Sequence, residues 1–103
     1  MDLDIRPEAV ADIDAHVAFI FADSEAAARR FLQAVHATFA RLMEHPLIGR
    51  PWPAQRRRLA RLRSVQVSGF RNYLVFYEAS PDRITIVRVL HGAMDLPAAL
   101  GKD

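Results

Sequence analysis

The sequence predicts an α+β domain: an N-terminal helical hairpin packed on one face of a small antiparallel sheet, in the order β-α-α-β-β-β with a short C-terminal turn or helix. Three observations carry this expectation. Apolar residues recur at three- and four-residue steps up to about Glu44. A segment holding Pro46, Gly49, Pro51 and Pro53 then ends the helical pattern. Beyond it, three runs rich in β-branched and aromatic residues are divided by turn residues.

LDIR, residues 3–6, reads as a strand that joins the sheet. Pro7 suits the first position of a helix and Glu8 its positive end. Val10, Ile13, Val17 and Ile20 form the apolar stripe of a first helix over 7–22, leaving Asp12, Asp14 and His16 for the other side. Ala22-Asp23-Ser24 breaks the pattern, and Ser24 is the N-cap of a second helix in which Ala28, Phe31, Val35, Phe39 and Leu42 continue to Glu44, with Arg29, Arg30 and Arg41 in solvent. So short a break folds the helices back as an antiparallel pair. Residues 45–60 read as a loop. LRSVQV (62–67), FRNYLVFYEA (70–79) and RITIVRVL (83–90), separated by Ser68-Gly69 and Ser80-Pro81-Asp82, read as an antiparallel meander. Alternation on the middle strand places Phe70, Leu74 and Phe76 on one face and Arg71, Tyr73, Val75 and Tyr77 on the other. One face is expected to be core and the other apolar with polar tips. Met94-Asp95-Leu96-Pro97 and Ala98-Ala99-Leu100 suggest the final turn or helix.

A chain of 103 residues, 51% hydrophobic and 25% charged, has room for a single core, so residues 1–103 are read as one domain. Stability on that scale is modest, and a lasting partner would add to it. The lack of cysteine excludes disulfides and thiol catalysis, and His16, His36, His45 and His91 have no zinc-ligand spacing, so no metal or cofactor is expected. There is no Gly-rich phosphate loop, no carboxylate pair in the sheet region and no G-x-S-x-G elbow, which argues against nucleotide hydrolysis and acyl transfer. With no cationic, apolar leader and no run near the ~20 apolar residues of a membrane span, a cytoplasmic protein is expected.

Charge is divided along the chain. Residues 1–28 hold seven acids against Arg6 alone, whereas residues 29–103 hold thirteen bases against five acids. Between Glu44 and Glu78 there is no acid, yet Arg50, Arg56, Arg57, Arg58, Arg61, Arg63 and Arg71 fall there, a candidate surface for nucleic acid or an acidic partner. The run PAQRRRLARLR, 53–63, reads either as such a contact or as a solvated charge run. Arg61, Arg63, Arg71, Arg88 and His91, with Tyr73 or Tyr77 beside them, could hold a phosphodiester, stabilise its charge and move protons, which would be metal-free RNA cleavage. The alternative is that the arginines are solvated or paired and His91 hydrogen-bonds at a strand end. Phe19, Ile20 and Phe21 are consecutive and cannot all face one core, so part of that surface is covered by another chain or by the loop.

The motifs PEAVADIDAHVAFI, RRFLQAVHATFARLMEHPLIGRP, LRSVQVSGFRNYLVFYEA and RITIVRVLHGAMDL resemble the ParE branch of the RelE/ParE toxin superfamily, also called plasmid stabilisation proteins, over nearly the whole chain. The ordered set of Pro-Leu-x-Gly-Arg loop, Gly-Phe-Arg-Asn-Tyr-Leu-Val-Phe-Tyr strand and Arg-Val-Leu-His-Gly terminus is specific. The resemblance implies a toxin in a hetero-oligomer with a cognate antitoxin, whose ribbon-helix-helix part binds operator DNA and whose tail wraps the toxin; Phe19, Ile20 and Phe21 are the expected antitoxin contacts. RelE-like members cut messenger RNA in the ribosomal A site with basic residues and usually a C-terminal tyrosine, whereas ParE-like members poison DNA gyrase. Arg71 matches the strand arginine of both branches, but no aromatic residue follows Tyr77, which favours gyrase. On that reading no residue is catalytic, and Arg56, Arg57, Arg58, Arg61, Arg71, Arg88 and Met94 contact the target. On the ribonuclease reading Arg63, Arg71 and His91 do the chemistry. The family usually reads His-Gly-Ala-Arg-Asp or His-Gly-Arg-Arg-Asp where this chain has Met94, so a third reading is an attenuated toxin kept as co-repressor. His91 is then a family hallmark that holds the tail in place.

Overall fold

The computed structural model describes residues 1–53 and 59–100. Its elements are β1 (Asp2–Ile5), α1 (Pro7–Asp23), α2 (Glu25–Glu44), β2 (Arg50–Pro51), β3 (Arg63–Val67), β4 (Phe70–Ser80), β5 (Arg83–His91) and α3 (Leu96–Leu100). Ser24 both ends α1 and caps α2, its Oγ accepting the Ala27 N–H at 3.1 Å. Strand order is β1-β5-β4-β3-β2. β3, β4 and β5 form the expected meander. β1 lies parallel to β5, which makes the sheet mixed, and inside the expected loop Arg50–Pro51 adds a two-residue edge strand, a position where proline's missing N–H costs nothing.

Both faces of the sheet are core. On one side Phe31, Val35, Phe39 and Leu42 of α2 pack on Val67, Val75, Tyr77, Ile84, Ile86 and Val89. On the other, Leu62, Phe76, Leu90 and Leu100 form a second cluster closed by α3 and by Trp52, whose ring meets Phe76 edge-on at 5.1 Å. Phe70 departs from simple alternation. Gln66 pairs with Leu74 while the next residue, Val67, pairs with Phe70, so three residues of β4 intervene and the face reverses. Phe70 therefore points to the helices and meets Phe31 edge-on at 5.3 Å. The hairpin turn is made by Gly69 at φ 78° and tied to α2 by the Ser68 N–H, which donates to Thr38 Oγ1 at 3.1 Å.

Ile13, Val17 and Ile20 of the expected α1 stripe pack on the core. Val10 alone departs: it is 45% exposed and Ala9 takes the buried position, with Asp12 and His16 brought onto β5. The reason lies in the length of β1. It pairs with β5 only as far as Ile86, where Arg6 N–H reaches the Ile86 carbonyl at 3.0 Å, and the rest of β5 has no strand on that side. One turn apart on α1, Asp12 accepts the Val89 N–H at 3.0 Å and His16 Nε2 donates to the Val89 carbonyl at 2.8 Å. The two side chains do for Val89 what a strand would do. Asp12 also takes Arg88 in a fork, Nε at 2.7 Å and Nη2 at 2.9 Å, and this hydrogen bonding is the main reason the Arg88 pKa lies above its ordinary value.

The loop after α2 is held by Tyr77, which is fully buried on β4. Its hydroxyl accepts the Gly49 N–H and donates to the Pro46 carbonyl, both at 2.8 Å. A Cβ at Gly49 would lie 2.6 Å from that hydroxyl and 2.8 Å from the Ser64 carbonyl, so only glycine lets the loop approach this closely. Burial pushes the Tyr77 phenol above its ordinary pKa, against the opposing pull of the Gly49 hydrogen bond and the Arg63 charge.

Asp12→Ala strands both Arg88 and the Val89 N–H, and is expected to cost about 2–3 kcal/mol, lowering Tm by roughly 10–20 °C in a thermal melt. Tyr77→Phe leaves two loop groups without their partner and is expected to cost about 1–3 kcal/mol. Because the folded-state pKa of Tyr77 is raised, its stabilising contribution is complete below the ordinary 10.0 and is lost as pH rises beyond it. Tm of the parent should therefore fall more steeply above that pH than Tm of Tyr77→Phe, and parallel curves would contradict the role given to the phenol.

Candidate functional site

The basic residues singled out in the sequence have different surroundings. Arg56, Arg57 and Arg58 lie outside the described residues. Arg61 is exposed and donates to the Ala79 carbonyl at 3.3 Å. Arg71 is exposed beside the β3–β4 turn. Arg88, expected on the target surface, instead belongs to the framework: it is forked on Asp12, and its Nη1 donates to the Ala99 carbonyl at 3.1 Å, tying α3 to β5. Sequence alternation gave no sign that an acid on α1 would reach it. Met94 stands 45% exposed in the turn after β5, its N–H donating to the His91 carbonyl at 3.0 Å.

Of the residues of a ribonuclease reading, Arg63 and His91 are not brought together. Arg63 Nη1 donates to the Gly49 carbonyl at 2.7 Å and to the Leu47 carbonyl at 3.3 Å, so this guanidinium fastens the loop. Arg63 pairs with Tyr77 across the sheet and His91 pairs with Tyr73, four residues away on β4, a separation of roughly 13 Å along the strand. The His91 Nδ1 accepts the Ala93 N–H at 3.0 Å. That acceptor nitrogen is thus engaged with the tail. The ring stands edge-on to Tyr73 at 4.8 Å, and Tyr73 in turn meets His16 at 5.0 Å and Phe31 at 4.8 Å. Tyr73 is part of the packing between hairpin and sheet.

Among the described residues, open surfaces are found on α1 and beside β3. On α1, Ile20 packs against the helix-side core, whereas Phe19 is 77% and Phe21 54% exposed. Along the outer side of β3 runs a groove of about 550 Å³ in which Arg71 is joined by Arg50 and by Arg41 of α2. Arg41, expected in solvent, is exposed and also lines this groove, which the acid-free window signals only through Arg50 and Arg71. Among the described residues no group of three His, Asp or Glu side chains is placed to hold a metal ion, and no helix is long and apolar enough to cross a membrane.

The family model described as "ParE toxin of type II toxin-antitoxin system, parDE" matches residues 3–96. Among solved structures, a chain of the chromosomal ParDE TA system from P. aeruginosa superposes with a TM-score of 0.69 at 17% identity, covering 88% of this chain and 95% of that one. No curated protein matches the sequence with significance. At 17% identity the structural likeness speaks for the fold. The family match spans nearly every residue of that fold, from β1 to the start of α3, and by it the chain belongs to the ParE toxins of type II toxin–antitoxin systems.

Proposed function

We propose that the chain inhibits DNA gyrase in the cytoplasm by binding it, and that a cognate antitoxin with a ribbon-helix-helix DNA-binding part neutralises it. The observation that carries this reading is how the basic residues are used. Arg63 and Arg88 are engaged with the protein's own groups, and His91 uses its acceptor nitrogen on the tail. Arg61 and Arg71 are exposed, and among the described residues neither is hydrogen-bonded to an acid or a histidine. Exposed guanidiniums on or beside the sheet suit docking to an acidic surface; bond cleavage would need a proton acceptor beside them. Phe19 and Phe21 supply exposed apolar area of the kind an antitoxin tail covers. Operator DNA is then met only through the antitoxin.

The test is a supercoiling and DNA-cleavage assay with purified, antitoxin-free protein. Gyrase-dependent inhibition or linear DNA is expected, and Arg61→Glu with Arg71→Glu should weaken it at least about tenfold, some 1.4 kcal/mol of binding, with Tm unchanged. Folded protein that leaves gyrase untouched but cuts messenger RNA on ribosomes would replace this reading with the ribonuclease one.

The tail gives a second test. His91→Ala removes the acceptor for the Ala93 N–H and is expected to lower both inhibition and Tm, the latter by an amount equivalent to about 1 kcal/mol. Met94→Arg restores a cation on the exposed turn and is expected to strengthen inhibition. A parent that is inert and a Met94→Arg variant that is active would instead favour the attenuated co-repressor.

A further inference from the structure

We infer that the groove beside β3 is a binding site for a small oligophosphate anion, the phosphate chain of a free nucleotide or of inorganic polyphosphate, held by the guanidiniums of Arg41, Arg50 and Arg71. The three arginines come from α2, β2 and β4, and no acid lines the groove with them. They reach it from both faces of the sheet. Val65 packs against the helix-side core, so by alternation its neighbours Ser64 and Gln66 present their side chains to the other face. Arg50 pairs with Ser64 and shares that face. Arg41 arrives on the helix side, where its Nη1 donates to Ser68 Oγ at 3.4 Å. Arg71 stands just beyond the Ser68-Gly69 turn. Like charges gathered at one groove with no acid between them repel one another, and a bound anion of several charges offsets that repulsion.

The ligand class follows from the donors and their spacing. β2 pairs only with Arg63 and Ser64, and the Trp52 N–H bonds the Leu62 carbonyl at 2.8 Å, so by the alternation of an antiparallel ladder the Gln66 N–H points to the β2 side, where nothing among the described residues bonds it. That N–H, the hydroxyls of Ser64 and Ser68 and the three guanidiniums can all donate to phosphate oxygens, and a planar guanidinium matches two of those oxygens at once. Ser64 and Ser68, beside which Arg50 and Arg41 act, are four residues apart, roughly 13 Å along an extended strand. A single phosphate meets only part of such a row; linked phosphates can meet all of it. The groove is also bounded, by the Ser68-Gly69 turn at one end and by Ile48 at the other, and its volume of about 550 Å³ suits a small anion, whereas a nucleic acid strand would overrun both ends. Ile48 and Leu74 add apolar area on which the base of a nucleotide could rest. The site shares only Arg71 with the surface proposed for gyrase, and its failure would leave that reading untouched.

The experiment is calorimetric titration of the full-length protein, without divalent metal, using tripolyphosphate, ATP, AMP, orthophosphate and a short thymidine oligonucleotide as probes. Tripolyphosphate and ATP are expected to bind at least about tenfold more tightly than AMP or orthophosphate, with affinity falling as salt rises and the Gln66 amide resonance moving in the complex. Tighter binding by ATP than by tripolyphosphate would make the nucleotide the source of the phosphate chain; equal or tighter binding by tripolyphosphate would make it the inorganic polymer. Arg41→Glu with Arg50→Glu should lower affinity at least about tenfold while the Tm of the ligand-free protein stays that of the parent. Arg30→Glu with Arg83→Glu makes the same change of charge at two exposed arginines outside the groove and should cost clearly less. No binding by tripolyphosphate or ATP, equally tight binding by AMP or orthophosphate, equal losses in the two double variants, an unmoved Gln66 amide, or preference for the oligonucleotide would each overturn the proposal.

Discussion

The sheet depends on what α1 does for a single residue of β5. A four-residue β1 cannot cover a nine-residue β5. The uncovered part lies next to the helical hairpin, where its backbone groups are shielded from water and need partners. Asp12 and His16 give Val89 both its acceptor and its donor, and Asp12 adds a forked ion pair with Arg88. The arrangement fixes how α1 is rotated and how far it slides along the sheet. It also places His16 against Tyr73, so that hairpin, β4 and β5 meet at one cluster of rings. Such a pair does not gain much from charge attraction alone, since desolvation offsets it; its value is that three groups otherwise left without partners share one carboxylate.

A second closure works from the other end of the sheet. The buried Tyr77 hydroxyl and the Arg63 guanidinium together hold the loop that follows α2, one by the Gly49 N–H and the Pro46 carbonyl, the other by the Gly49 and Leu47 carbonyls. The loop thereby brings Arg50 to the edge of β3 and leaves Ile48 and Leu47 near the surface. On the far face, Arg88 anchors α3 through Ala99, and α3 with Trp52 covers Phe76 and Leu90. Two arginines are thus consumed in building the platform. Among the described residues Arg61 and Arg71 are left exposed, and this division is what favours the proposed binding surface over a catalytic one.

Much of the fold was legible because hydrophobic periodicity records burial. Both long helices, the Ser24 cap, the three meander strands and the Ser68-Gly69 turn are where the residues suggest. The departures have physical causes that one-dimensional periodicity does not carry. Polar Asp12 and His16 read as an outer face, yet they point inward because a short strand leaves work for them. Phe70 changes face because three residues of β4 intervene in the register. The second sheet face became a core because the tail folds back on it, which the run Ala98-Ala99-Leu100 hinted at and long-range packing decided. For the site, the acid-free arginine window was visible, but which guanidiniums are free depends on contacts between residues far apart, such as Arg88 with Asp12 and Arg63 with Gly49.

The most direct test of the edge closure by α1 is amide hydrogen exchange at Val89, compared with Ile84, in the parent and in Asp12→Ala. Ile84 pairs with β1 and owes nothing to Asp12. The Val89 amide should be protected in the parent and should gain at least about tenfold in exchange rate over Ile84 in the variant, some 1.4 kcal/mol of local opening beyond the global loss. A Val89 amide that exchanges freely in the parent, or that changes only in step with Ile84, would mean that α1 does not serve as the missing strand.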